Sequence, residues 1–271
     1  MERANIKRVA LIASAAALVL IGSTAAFLTS SDKGDNRFTV GKVDLTLDES
    51  SYTDGQKLSA GQIIDKNPTV SNKGNVRELF FVEVTVPCME ATFLYNDGTR
   101  IPPANIPTDP AAADYRQLGE IYNLLADGGT GGTYKKNAIS APSNTNWEIS
   151  CNSGTSDQEG WHFITKSENQ KSYDKVPGFR NGKYSTYVFG YNAWVEPGGR
   201  TVPVFDKLQL RSIVDADIPG GTLTQVQVNA YSIQADALNV QTGDRNGSQG
   251  SYYTDADVRE IYKIIENKKN G

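Results

Sequence analysis

Leu79-Phe80-Phe81-Val82-Glu83-Val84-Thr85-Val86 decides the fold class of this chain. Aromatic and β-branched side chains suit a pleated surface, so the run reads as a strand. Its near-continuous apolar character implies burial on both faces at one end. Working upstream, Asn72-Lys73-Gly74-Asn75 is a turn, and Ile63–Val70 is a candidate strand interrupted by Pro68. Further upstream, Phe38, Val40, Val43, Leu45 and Leu47 alternate with polar residues. That is a strand with one break in register at Gly41, a natural bulge position.

Downstream, Asn96-Asp97-Gly98 is a hairpin-type turn. Tyr115, Leu118, Ile121, Tyr122 and Leu125 lie on one face of a 3.6-residue period, which predicts a helix over 114–126. Trp147–Cys151 and Trp161–Thr165 are short strands. The stretch 87–182 as a whole reads as a loop and helix insertion between strands. Regular β pattern returns at Tyr184–Val195, followed by a tight turn at Glu196-Pro197-Gly198-Gly199. Arg200–Val214 and Thr222–Ala235 are predicted long strands, the second with one face in a core and one in solvent. Thr254 and Asp257 have nearly the spacing of a capping box, and Val258, Ile261, Tyr262 and Ile265 form the apolar stripe of a final helix.

These elements predict a mainly β protein. The architecture expected is a jelly-roll-like antiparallel β-sandwich over 38–238, with the insertion at 87–182 and a linker plus short C-terminal helix over 239–271. Thirteen Tyr and nine Phe against two Met fit a sheet-rich core.

The first 25 residues have another purpose. Arg3, Lys7 and Arg8 precede an apolar run from Val9 to Ile21, and Gly22-Ser23-Thr24-Ala25-Ala26 supplies small residues. This is the pattern of a secretory signal peptide, with cleavage between Ala25 and Ala26. The apolar run is short for a membrane-spanning helix of ~20 residues, so membrane contact is expected only during export. Residues 26–37 then form a flexible N-terminal segment.

Composition excludes some partners. The formal net charge is −4 and no basic patch stands out, so nucleic acid is not expected. Cys88 and Cys151 are the only cysteines, and in an oxidising setting they could pair within one molecule or between molecules.

No catalytic constellation is visible. The chain has one histidine, His162, and no H-E-x-x-H or G-x-S-x-G motif. A lone histidine between aromatic residues is read as structural. The glycines at 128, 129, 131 and 132 lack the preceding strand and following Lys-Ser or Lys-Thr of a phosphate loop. Acidic residues such as Asp44, Asp48 and Asp215 are scattered without calcium-loop spacing. No cofactor is expected, and calcium between loops is a weak alternative. Sheet edges are the more informative feature. A mobile segment beginning Ala26-Phe27-Leu28 could add a strand to a neighbour's edge, with Phe27 and Leu28 as anchors. Such a head-to-tail contact does not close, and so grows a filament.

Several stretches together resemble the TasA/camelysin family. They are G-S-T-A-A-F at 22–27, F-T-V-G-K-V-D-L-T-L at 38–47, and L-S-A-G-Q at 58–62 leading to V-S-N-K-G-N at 70–75. E-P-G-G-R-T-V-P-V-F-D-K-L at 196–208 and V-Q-V-N-A-Y-S-I-Q-A at 226–235 complete the set. The resemblance does not extend over 87–182. It implies a jelly-roll sandwich exported from a Gram-positive-type bacterium through a signal peptide of the kind cut by a SipW-type peptidase. It also implies a subunit of biofilm-matrix or cell-surface fibres, built from copies of itself or related subunits by N-terminal strand donation. Camelysin-like relatives imply an alternative, a cell-surface metallopeptidase, for which no zinc motif is visible. A monomeric surface adhesin is the third reading.

Overall fold

The computed structural model describes residues 44–49, 59–95, 98–102, 116–126, 149–169, 183–214, 226–234 and 252–270. In chain order the elements are β1 (Leu45–Asp48), β2 (Ile63–Asp65), β3 (Thr69–Asn72), β4 (Glu78–Ala91), β5 (Gln117–Glu120) and β6 (Tyr122–Leu125). Then come β7 (Trp161–Asn169), β8 (Lys183–Tyr191), β9 (Lys207–Leu210), β10 (Gln227–Gln234) and α1 (Asp255–Asn270). The fold is mainly β with antiparallel sheets, as the sequence predicts.

β4 is the axis of the larger sheet. One of its edges pairs with β8, which in turn pairs with β7. The other edge pairs first with β10 over Glu78–Thr85 and then with β5 over Cys88–Ala91. Pro87 sits where that neighbour changes, a place where a missing N–H costs little. β2, β9 and β6 form a second sheet, and β1 pairs with β3.

The two faces of β4 explain its apolar run. Phe80, Val82, Val84 and Val86 share one buried cluster with Leu208 and Leu210 of β9 and Leu124 of β6. Leu79 and Phe81, on the opposite face, pack with Val258, Ile261 and Tyr262 of α1. The Phe81 and Tyr262 rings stand 5.6 Å apart. The molecule is therefore a sandwich with a helix against the outer face of one sheet, and β4 is buried on both faces over most of its length.

The predicted helix stripe is observed, and the helix is seated at three points. The cap is reciprocal: Thr254 N–H donates to Asp257 Oδ2 at 2.9 Å, and Asp257 N–H to Thr254 Oγ1 at 3.3 Å. β7 changes register between Phe163 and Thr165, a bulge beside which Arg259 reaches the carbonyls of Phe163 and Ile164. Gly190 lets the helix approach, since a Cβ there would lie 2.3 Å from Val258 Cγ1.

Other sequence expectations need correction. Residues 117–125 form β5 and β6, not a helix. The chain crosses from one sheet to the other at Ile121, and 121–126 are buried throughout. A segment with no solvent face gives no alternation, and its apolar positions mimic a helical stripe. It follows that the stretch read as an insertion supplies β5, β6, β7 and the last residues of β4 to the two sheets. Ile63–Val70 divides near Pro68 into β2 and β3, which join different sheets. Within Arg200–Val214, only Lys207–Leu210 is a strand. Its flank is held by single bonds, such as Thr201 N–H to Val70 O and Val204 N–H to Pro68 O. The turn at 196–199 is as predicted: Gly198 has φ +80° and Gly199 N–H closes on Glu196 O at 2.8 Å.

Cys88 and Cys151 are not joined in a disulfide. Each is buried in its own surroundings. Cys88 Sγ lies 3.6 Å from Ser185 Oγ, while Cys151 Sγ lies 3.5 Å from Ser153 Oγ and 3.7 Å from Trp161 O. The cleavage residues Ala25 and Ala26, the anchors Phe27 and Leu28, and the strand start at Phe38 lie outside the described residues. Among the described residues no helix is long and apolar enough to cross a membrane.

Candidate functional site

β10 ends the larger sheet, and among the described residues no strand pairs with its outer edge. Its sequence, Gln227-Val228-Asn229-Ala230-Tyr231-Ser232-Ile233-Gln234, contains no charge and no proline. Edge strands are commonly blunted by those residue types, because an open row of N–H and C=O groups is a template for another strand. β10 lacks that protection. β1 lies nearby on the facing layer, and Leu45 and Leu47 pack part-buried on the same core as Val228 and Ala230. The seam between β1 and β10 is thus apolar below and open along its β10 edge.

A polar corner closes one end of this seam. Glu78 opens β4 and is fully buried, and its Oε1 accepts the Asp44 N–H at 3.1 Å. Burial raises the Glu78 carboxyl above the ordinary carboxylate range, opposed by the Ser232 hydroxyl and the Asp44 N–H, while the Asp44 carboxylate adds to the rise. Asn72, equally buried, donates to the carbonyls of Val76 and Val195 at 2.8 Å each. Val195 and Glu78 exchange both backbone hydrogen bonds. Pattern reading overlooked this corner, although a glutamate opening a strongly apolar strand is itself a signal.

A second polar group lies inside the sandwich. Tyr187 OH donates to Glu120 Oε1 at 2.6 Å, and Lys166 Nζ lies 2.9 Å from the same oxygen. Arg211, 3 % exposed, donates to the Glu120 backbone carbonyl and stacks over Phe93. Burial would raise the Glu120 carboxyl, but the hydrogen bonds from Tyr187, Lys166 and Ser185 prevail and hold it below its usual value. One carboxylate beside two cations is a structural ion cluster, not a donor set for a metal.

His162 stands on β7 beneath the start of α1, with Nδ1 3.8 Å from Asp255 Oδ1 and Nε2 buried without a hydrogen-bond partner. Burial lowers its basicity. Burial likewise pushes the Cys151 thiol up to about 11, so it is a poor nucleophile. A half-open cavity of about 320 Å³ is lined by Asp48, Asn67, Thr69, Glu159 and Arg200–Pro203.

Comparison with known families bears on the first part of the chain. Residues 5–85 match the family model described as Camelysin metallo-endopeptidase. Over that stretch, less than a third of the chain, it is similar to the camelysin family. The match takes in the motifs at 22–27, 38–47, 58–62 and 70–75, and ends within β4. No curated protein matches the chain. The description implies a catalytic metal. Among the described residues, no group of three His, Cys, Asp or Glu side chains could hold one. The chain's one histidine faces Asp255 and the helix, so these residues do not fit a zinc-peptidase centre.

Proposed function

We propose that this chain is an exported, non-catalytic structural protein of the TasA/camelysin family, a subunit of extracellular matrix or cell-surface fibres. It is exported through the signal peptide at 1–25 and cut between Ala25 and Ala26 by a SipW-type peptidase. The new N-terminal segment, with Phe27 and Leu28 as anchors, adds a strand to the β10 edge of another copy or a related subunit. The observation that carries this reading is the uncharged, proline-free edge of β10 beside the part-buried apolar residues of β1. Residues 26–43 can extend over ~60 Å, enough to reach a neighbouring sandwich.

Negative-stain electron microscopy of the chain beginning at Ala26, beside one beginning at Phe38, tests the proposal. Filaments from the first alone are the expected result. If both remain monomeric at high concentration, the chain is not a self-assembling subunit. The family description favours a second reading, a cell-surface metallopeptidase. Chelator-sensitive cleavage of a protein substrate with stoichiometric bound zinc would establish it.

A further inference from the structure

We infer that Glu78, beside Asp44, forms a proton-sensitive clasp at the start of β1, seating β1 when Glu78 takes up a proton and loosening it when Glu78 is ionised. Glu78 has no exposed surface, and its two oxygens are in different states. Oε1 accepts the Asp44 N–H, whereas Oε2 is buried with no hydrogen-bond partner. A buried carboxylate oxygen without a donor is costly, and a proton placed there removes the charge that water cannot reach.

The neighbours act in the same direction. From the residue just before β1, the charged group facing Glu78 is Asp44, of like sign. From β10 it meets the Ser232 hydroxyl, which can donate to either form. Val195 contributes its backbone, and Arg77, next to Glu78 in the chain, lays its guanidinium over Trp194 at 4.5 Å. No cation is therefore placed to hold Glu78 ionised among these contacts.

The sign follows from linkage. The folded-state pKa of Glu78 lies above its ordinary value of 4.5, so the folded corner binds the proton more tightly than the unfolded chain. The stabilisation is complete below the unfolded pKa and is lost as pH rises through the folded one. Asp44 is the first described residue, and its carbonyl also accepts Lys73 N–H at 2.7 Å. Loosening at Glu78 therefore acts on the start of β1. The clasp concerns the seating of β1 and does not depend on polymerisation. If the strand-donation reading also holds, the clasp regulates how freely the donor segment leaves its own subunit.

Hydrogen exchange of the chain from Ala26, corrected for intrinsic rates, tests this at about pH 4.5, the ordinary value above which the Glu78 carboxyl is raised, and at about pH 7.5. In the parent, protection of the Asp44–Asp48 amides should rise severalfold at the lower pH. Glu78→Gln keeps the acceptor and removes the charge, so protection should be high and equal at both. Asp44→Asn, at a half-exposed site that need not disturb folding, should raise protection at the higher pH. Equal protection of the parent at both pH values overturns the clasp, as does undiminished pH dependence in Glu78→Gln. Loss of filaments with the β1 response intact would count against strand donation alone.

Discussion

The Tyr187 hydroxyl of β8 donates to Glu120 Oε1 of β5 at 2.6 Å, across the intervening strand β4. Lys166 completes the contact from β7, so three strands meet at one carboxylate that is 1 % exposed. Removing one partner of a buried charge cluster leaves the rest uncompensated, typically at 3–5 kcal/mol. Glu120→Ala should therefore lose about 3 kcal/mol of unfolding free energy in urea, and Tyr187→Phe about 1 kcal/mol. The folded-state pKa of Glu120 is depressed, so its contribution is present above the unfolded value of 4.5 and is lost as pH falls through the folded one. Stability measured against pH should be less steep on the acid side in Glu120→Gln than in the parent.

Gly190 and Val258 set the distance between helix and sheet. A Cβ at 190 would meet Val258 Cγ1 at 2.3 Å and Phe81 Cε1 at 2.9 Å. Overpacking of this kind costs roughly 1–3 kcal/mol. Gly190→Ala should destabilise by that amount and speed proteolytic release of the C-terminal helix. Val258→Ala in the same chain should recover part of the loss, because it removes the nearer of the clashing atoms. Additive losses in the double variant would show that the two residues do not oppose each other.

The two cysteines offer a chemical check on the core. Both are buried, and burial raises the Cys151 thiol to about 11. The thiolate is the reactive form, so a thiol reagent should label neither residue in the folded chain near neutral pH. After unfolding without reductant, both should react at once. A chain that needs reductant before labelling would carry the disulfide that the structure lacks.

Much of the fold is legible where one face is buried and the other is wet. Phe80, Val82, Val84 and Val86 in β4 and Val258, Ile261 and Tyr262 in α1 show their periods plainly, because each has a polar or differently packed opposite side. The signal fails at Ile121–Ala126, where both sides are covered and the stripe of a helix is imitated. It fails again over 200–206, where Pro203 and single backbone bonds replace a continuous ladder. The candidate site was half visible. The uncharged run Gln227–Gln234 can be read from the chain, but its position at the sheet edge depends on which strand pairs with β4, a long-range choice that local pattern does not encode. The Glu78 corner depends on contacts across 34 residues of sequence to Asp44 and was invisible for the same reason.

A change at the β10 edge tests the seam directly. Ala230 pairs with Val82 and packs part-buried on the core beside Val228. A lysine there can carry its stem along the apolar floor and its ammonium to the rim, so folding should survive at a cost of ~1 kcal/mol. An incoming strand would have to bury that ammonium against Leu45, Leu47 and Val228, and a buried unpaired charge costs several kcal/mol. Ala230→Lys should therefore keep the parent's circular dichroism and cooperative unfolding while abolishing filaments. Asn229→Lys is the control: Asn229 is exposed on the opposite face, so the new charge stays in water and filaments should still form. Filaments from Ala230→Lys as abundant as those of the parent would place the acceptor surface elsewhere on the sandwich.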